Sequence, residues 1–217
     1  MRIKKHLNKI IITRLTLKGI GKLYFVPLLF LFVIIPSMTF MNFAAEYDYD
    51  TCYYFSYINI QSFFPFFAIW WTLFGFREYI EGSGREILTV YKKNFLPELL
   101  LIYIFYFLHF CILILLYGII IRFNYWKYIF IFFCQSFAFF SISISLSIFL
   151  KSIAIPFIFS ILYEVFCMNA NADFLKPINM LSDNFPDDIW SILFPYIFIF
   201  LGSTVMLALS KKQMGKL

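Results

Sequence analysis

An all-α membrane protein with six transmembrane helices is predicted by three observations. Hydrophobic residues make up 62% of the chain and charged residues 14%, with a mean hydropathy of +0.83, whereas soluble domains run to about 45–50% apolar and about 25% charged. Six apolar runs, at about 24–43, 58–76, 98–121, 128–150, 152–168 and 190–210, each come close to the ~17–25 residues of a spanning helix. The cations fall at the ends of these runs, where orientation in a bilayer requires them. At about 20 residues per span, the 217 residues are expected to form a single membrane domain over 1–217, without a separate soluble catalytic domain.

Residues 2–22 read RIKKHLNKIIITRLTLKGIGK. Apolar Ile3, Leu7, Ile10, Ile11 and Leu15 recur at three- and four-residue steps, with Arg2, Lys5, Lys9 and Lys18 largely between them. This is the pattern of a basic helix lying in the lipid headgroup plane, expected over 1–22. The apolar run that follows exceeds the ~7–15 residues of a secretory signal core and reads as an anchor.

With the N-terminus inside, the cytoplasmic segments hold seven cations before residue 23, four between 77 and 97, Lys151, and Lys211, Lys212 and Lys216. Only Arg122, Lys127 and Lys176 of the 18 Lys and Arg fall outside. The positive-inside rule therefore predicts a multi-pass plasma-membrane protein with both termini cytoplasmic. The net charge of +6 reads as an orientation signal and not as a nucleic-acid patch, because the cations are not gathered among aromatics on one face.

The outer segments have the opposite character. AAEYDYDTCYYFSY carries Glu46, Asp48 and Asp50 without a cation, interleaved with Tyr47, Tyr49, Tyr53, Tyr54 and Tyr57. This is either an interfacial tyrosine belt or an acidic lip for a cationic peptide. Residues 168–190 hold too many apolar side chains for a free loop, among them Phe174, Leu175, Ile178 and Phe185, punctuated by Pro177 and Pro186. They are expected to re-enter the outer leaflet under cover of protein.

Few side chains within the spans offer chemistry. His109 in the third run and Glu164 towards the outer end of the fifth are ionisable groups at membrane depth, and so are candidates for a substrate path. Each is also open to a plainer role, His109 as an interhelical hydrogen-bond partner and Glu164 as a group near the outer surface. There is no His-Glu-x-x-His, no paired acidic motif and no Ser-His-Asp set, which disfavours an intramembrane enzyme. In the fourth run Ser136, Ser143 and Ser147 share one helical face and Ser141 and Ser145 another, the composition of a close helix packing interface. Cys111 and Cys134 lie in apolar runs, while Cys52 and Cys167 fall near the outer surface, where a bridge needs Cα atoms within about 7 Å. No Gly-x-x-x-x-Gly-Lys-Ser/Thr occurs, so no cofactor is expected and any ATP is hydrolysed by another polypeptide.

Residues 77–97 form the one internal segment dense in charge, carrying Arg77, Glu78, Glu81, Arg85, Glu86, Lys92 and Lys93. The run Arg77-Glu78-Tyr79-Ile80-Glu81-Gly82-Ser83-Gly84-Arg85-Glu86-Ile87-Leu88, placed after a second span and before a third, resembles the coupling-helix segment of ABC type 2 transporter permeases. A basic connecting helix, six spans and a re-entrant outer segment are similar to that family's layout along essentially the whole chain. Tyr91-Lys92-Lys93 departs from it, standing where members often have a proline-containing segment.

The resemblance implies a permease subunit that pairs with a second copy or paralogue. Its coupling helix would sit in a cleft of a partner ATPase, which binds the ATP and Mg. Ile80, Ile87, Leu88 and Tyr91 would be the apolar anchor, Glu78, Glu81, Arg85 and Glu86 the charged rim, and Gly82-Ser83-Gly84 the break between short helices. The expected function is export of a substrate, with a peptide or antimicrobial favoured. A membrane immunity or assembly protein that transports nothing is the alternative.

Overall fold

In the computed structural model the described residues are 13, 16–82, 95–169, 181 and 189–214, and they contain helices and turns but no strand. Thr13 and residues 16–19 are helical, while Ile20 is in a turn and Gly21 and Lys22 open a 3-10 helix; the other residues of the expected interfacial helix, and all of the expected re-entrant segment except its ends and Leu181, lie outside the described residues. Gly21, with φ +64°, makes the elbow into the first long helix, a conformation open to glycine.

That helix, α1, spans Gly21–Ala44. It widens to a π-turn over Phe30–Ile34, just ahead of Pro36, whose missing N–H leaves the Phe32 carbonyl without its usual donor. The second apolar run, 58–76, proves not to be one helix. It is divided between α2 (Tyr49–Phe67) and α3 (Trp70–Ile80). Pro65, in the last turn of α2, removes the bond to the Gln61 carbonyl, and the helix end then tightens, the Ile69 N–H bonding the Phe66 carbonyl at 3.2 Å. The break at Ala68–Ile69 is fully covered by protein, as irregular backbone at membrane depth must be, and the Ile69 carbonyl accepts both the Leu73 N–H and the Thr72 hydroxyl, each at 2.8 Å. The remaining helices are α4 (Leu96–Ile120), α5 (Trp126–Leu150), α6 (Ala154–Asn169) and α7 (Ile189–Met214). Three of them, α1, α4 and α5, are long and apolar enough to cross a membrane.

The serine-rich helix α5 is the centre of the bundle. Ser136 Oγ lies 2.9 Å from Tyr103 Oη on α4, Ser143 Oγ lies 3.1 Å from Ser160 Oγ on α6, and Ser145 Oγ accepts from Ser210 Oγ on α7 at 2.6 Å. Small side chains bring these backbones close, and their hydroxyls bond across the contact. The rest of the interior is aromatic: Phe64 of α2 stacks on Phe110 of α4 with ring centroids 3.7 Å apart.

These pairings fix direction. Ser143 with Ser160 and Phe139 with Tyr163 (ring centroids 5.7 Å apart) set α5 antiparallel to α6, and Gln135 with Tyr196 (2.9 Å) and Ser145 with Ser210 set α5 parallel to α7. Thr39 with Ser56 (3.0 Å) and Tyr24 stacked on Trp71 (4.7 Å) set α1 antiparallel to α2 and α3. Successive passes therefore alternate between two ends. One end carries Lys18, Lys22, Arg77, Lys151, Lys211 and Lys212, and the other Glu46, Asp48 and Asp50 with Arg122 and Lys127.

Candidate functional site

At the cation-rich end the last turn of α3 runs directly into the charged segment singled out above. Glu81 reaches across the bundle: its Oε1 accepts from the Ile153 backbone N–H at 2.7 Å and from the Ser152 hydroxyl at 3.1 Å. A carboxylate thus caps the start of α6, where free amides and the helix dipole favour negative charge. Glu81 Oε2 also lies 4.0 Å from Arg77 Nε. The turn that receives the cap is tight, with Lys151 in the left-handed conformation (φ 53°) ending α5.

Glu81 and Glu78 read alike in the sequence but part ways here. Glu78 is exposed and, with Arg77, Tyr79, Gly75 and Thr16, lines a cavity of about 450 Å³ between α3 and the N-terminal segment. Ile80, expected as part of an apolar anchor for a partner, is only 3% exposed and belongs to the core; it faces inward because α3 is still helical at that position. Tyr79 packs on Phe95, centroids 3.8 Å apart, holding the two edges of the loop together. Gly82 is required by space, since a Cβ would meet the Glu78 backbone, its Cα at 2.9 Å. Gly84, Arg85, Glu86, Ile87 and Leu88 lie outside the described residues.

A second polar site lies within the bundle. Glu164, on α6, is 8% exposed, and its carboxyl takes no hydrogen bond or ion pair among the described residues. It is buried within the protein. Tyr106 of α4 is within electrostatic reach of it, and donates its hydroxyl to the Phe64 carbonyl at 3.1 Å, one turn from the Pro65 break. On the same stretch of α2, Gln61 is 2% exposed and its Nε2 has no hydrogen-bond partner. A carboxyl in such surroundings is stable as the neutral acid or when paired with a cation.

His109 is not part of this site. Its Nδ1–H donates to the Phe105 carbonyl of its own helix at 2.8 Å, and its ring sits among Phe105, Trp71 and Phe32. The interhelical hydrogen bond expected for it is therefore an intrahelical one.

The acidic, tyrosine-rich end is closed from inside the chain. Tyr49 Oη donates to the Arg122 carbonyl (3.0 Å), Tyr53 Oη to the Asn124 carbonyl (2.7 Å), and Tyr125 Oη back to the Tyr53 carbonyl (2.9 Å). Asp48 is the N-cap of α2, accepting from the Thr51 hydroxyl and the Thr51 N–H, and these two bonds hold its carboxyl below the usual range. Burial pushes the Tyr125 phenol up. Cys52, Cys134 and Cys167 are buried, and neither they nor Cys111 form a disulfide.

Among the described residues no three His, Cys, Asp or Glu gather to hold a metal. Residues the sequence reading passed over are Ser152, whose place just before α6 is a helix-start signal, and the pair Trp70-Trp71, whose indole N–H groups donate to the Leu23 and Tyr24 carbonyls at 3.0 and 2.8 Å. Tyr106 and Gln61 carried no signal of their own among so many aromatic and apolar neighbours. No family model matches the chain, and neither curated proteins nor solved structures give a significant match.

Proposed function

We propose that the chain is the membrane-spanning subunit of an ATP-driven exporter. In this reading all six passes cross the plasma membrane with both termini cytoplasmic, residues 1–22 lie on the membrane surface, and 168–190 re-enter the outer leaflet. The segment 77–97 is the coupling helix for a separate ATPase, and the permease works as a dimer with a second copy or paralogue. The partner binds ATP and Mg. The substrate is a peptide or antimicrobial moved outward.

The observation that carries the reading is the Glu81 cap on α6. It joins the edge of the charged loop to the helix that bears Glu164, across 72 residues of sequence. A partner that moves the loop pulls on α6, and α6 carries its buried carboxyl past Tyr106 and the broken stretch of α2 and α3. A discontinuous helix beside an ionisable group at membrane depth is the arrangement transporters use for binding sites. A competing reading, a membrane immunity or assembly protein that transports nothing, is favoured by the tyrosine-clamped outer end.

Co-purification separates the two. Extracted in mild detergent, the protein should bring an ATP-binding subunit with it, and Glu78→Lys should release that subunit while the protein still inserts in the membrane. Recovery of the wild-type chain without any ATPase would favour the immunity or assembly reading, and survival of the complex in Glu78→Lys would remove this face from the contact.

A further inference from the structure

A further cavity lies outside both sites. It is a groove of about 640 Å³ between the N-terminal segment, the start of α1 and the first half of α4. Leu17, Phe25, Leu101 and Phe105 give it an apolar wall, while Lys18 and Tyr24 stand at its edge. Among the described residues its lining includes no Asp or Glu.

Two observations set its depth. Tyr24 stacks on Trp71, and the Trp70 and Trp71 indoles donate to the Leu23 and Tyr24 carbonyls. Trp71 is buried, but Trp70 and Tyr24 are half-buried, and Trp and Tyr with one apolar and one polar end collect at the membrane interface. On the same end of the bundle, beyond this aromatic layer, lie Lys18 and Lys22, neither with a carboxylate partner among the described residues. The groove thus spans the boundary between acyl chains and headgroups. Phe25 is 65% exposed and Phe105 36%, so its wall opens sideways towards hydrocarbon. An apolar recess of that kind is filled by hydrocarbon and not by water.

We infer that this groove is a binding site for one anionic phospholipid, with an acyl chain on Leu17, Phe25, Leu101 and Phe105 and the phosphate at the Lys18 ammonium. Charge selects the headgroup. Two unpaired lysines with no acid in the lining favour a lipid with net negative charge over a zwitterionic one, and five further cations, Arg2, Lys4, Lys5, Lys9 and Arg14, precede Lys18 in the sequence. Each cation near a membrane surface is worth about fivefold in affinity for anionic lipid. A lipid held here fills the space between the basic N-terminal segment and α4, and fixes that segment to the bundle.

The test is native mass spectrometry of the full chain, stripped of lipid in detergent and titrated with phosphatidylglycerol or phosphatidylcholine of matched chains. The site predicts one phosphatidylglycerol retained at least about tenfold more strongly than phosphatidylcholine, counting both lysines. Lys18→Glu should bring the two lipids to within a few-fold of each other, and Leu101→Trp, which fills the groove, should lower retention of both. Circular dichroism of each variant checks that it is folded. Equal retention of the two lipids by the wild-type protein, or a folded Leu101→Trp that keeps full retention, overturns the assignment.

Discussion

The two ends of the bundle are closed by different chemistry. At the acidic end, phenol hydroxyls from α2 and from the turn bond the backbone across a short connection, and Phe123 and Tyr125 are fully buried beneath it. At the basic end one carboxylate, Glu81, ties the edge of a long connection to α6. Around it remain the cavity beside Glu78 and the groove beside Lys18. Both ends carry exposed charge, but among the described residues the first seals its connection with tyrosine hydroxyls, while the second keeps open space beside its charges. A surface that must meet a partner needs the second kind.

The largest effect expected from breaking this contrast is at the sealed end. Tyr125→Ala removes a fully buried aromatic ring, a change of the kind that costs about 3–5 kcal/mol, and thermal unfolding in detergent should show it as the most damaging single change at either end. Next comes Glu81→Ala. Losing a charged cap costs about 1–2 kcal/mol, with the loss of order centred on the start of α6 and visible as faster amide exchange there. Glu78→Ala is the control that sharpens the comparison. Its side chain is exposed, so stability should stay within about 0.5 kcal/mol, and a loss equal to that of Glu81→Ala would mean that the two acids do the same work.

Tyr53→Phe keeps the ring and removes the bond to the Asn124 carbonyl, which should cost about 0.5–1.5 kcal/mol in the same unfolding measurement. The smallest effect belongs to Asp48 and is one of pH. Its carboxyl titrates lower when folded than when unfolded, so its contribution is present above the ordinary carboxylate range and is lost as pH falls through the folded value. Asp48→Asn should flatten that acid limb while leaving stability near neutral pH little changed.

Much of this was legible in the sequence where the signal is local. The apolar runs fall in helices, and the serine faces of the fourth run mark the contacts that α5 makes with α4, α6 and α7. Asp48 could be recognised as an N-cap from Asp48-x-x-Thr51. The break between α2 and α3 was not legible, because a hydropathy window averages over it and 58–76 passes for one apolar run. The burial of Ile80 was not legible, because a charged neighbourhood hides a helix that continues to that residue. Nor was the split between Glu78 and Glu81. The partner that separates them, the start of α6, lies 72 residues away, and no spacing rule carries information over that distance. Glu164 read as a group near the surface because it stands close to the end of its apolar run; only the packing of α6 on its neighbours reveals that it is buried.

The most direct test places a photo-reactive amino acid at position 78, at the basic end, and separately at position 122, at the acidic end, in native membranes. The account predicts that irradiation joins position 78 to an ATP-binding subunit and that position 122 captures no such protein. An ATP-binding subunit joined at 122 and not at 78, or at neither, would contradict it.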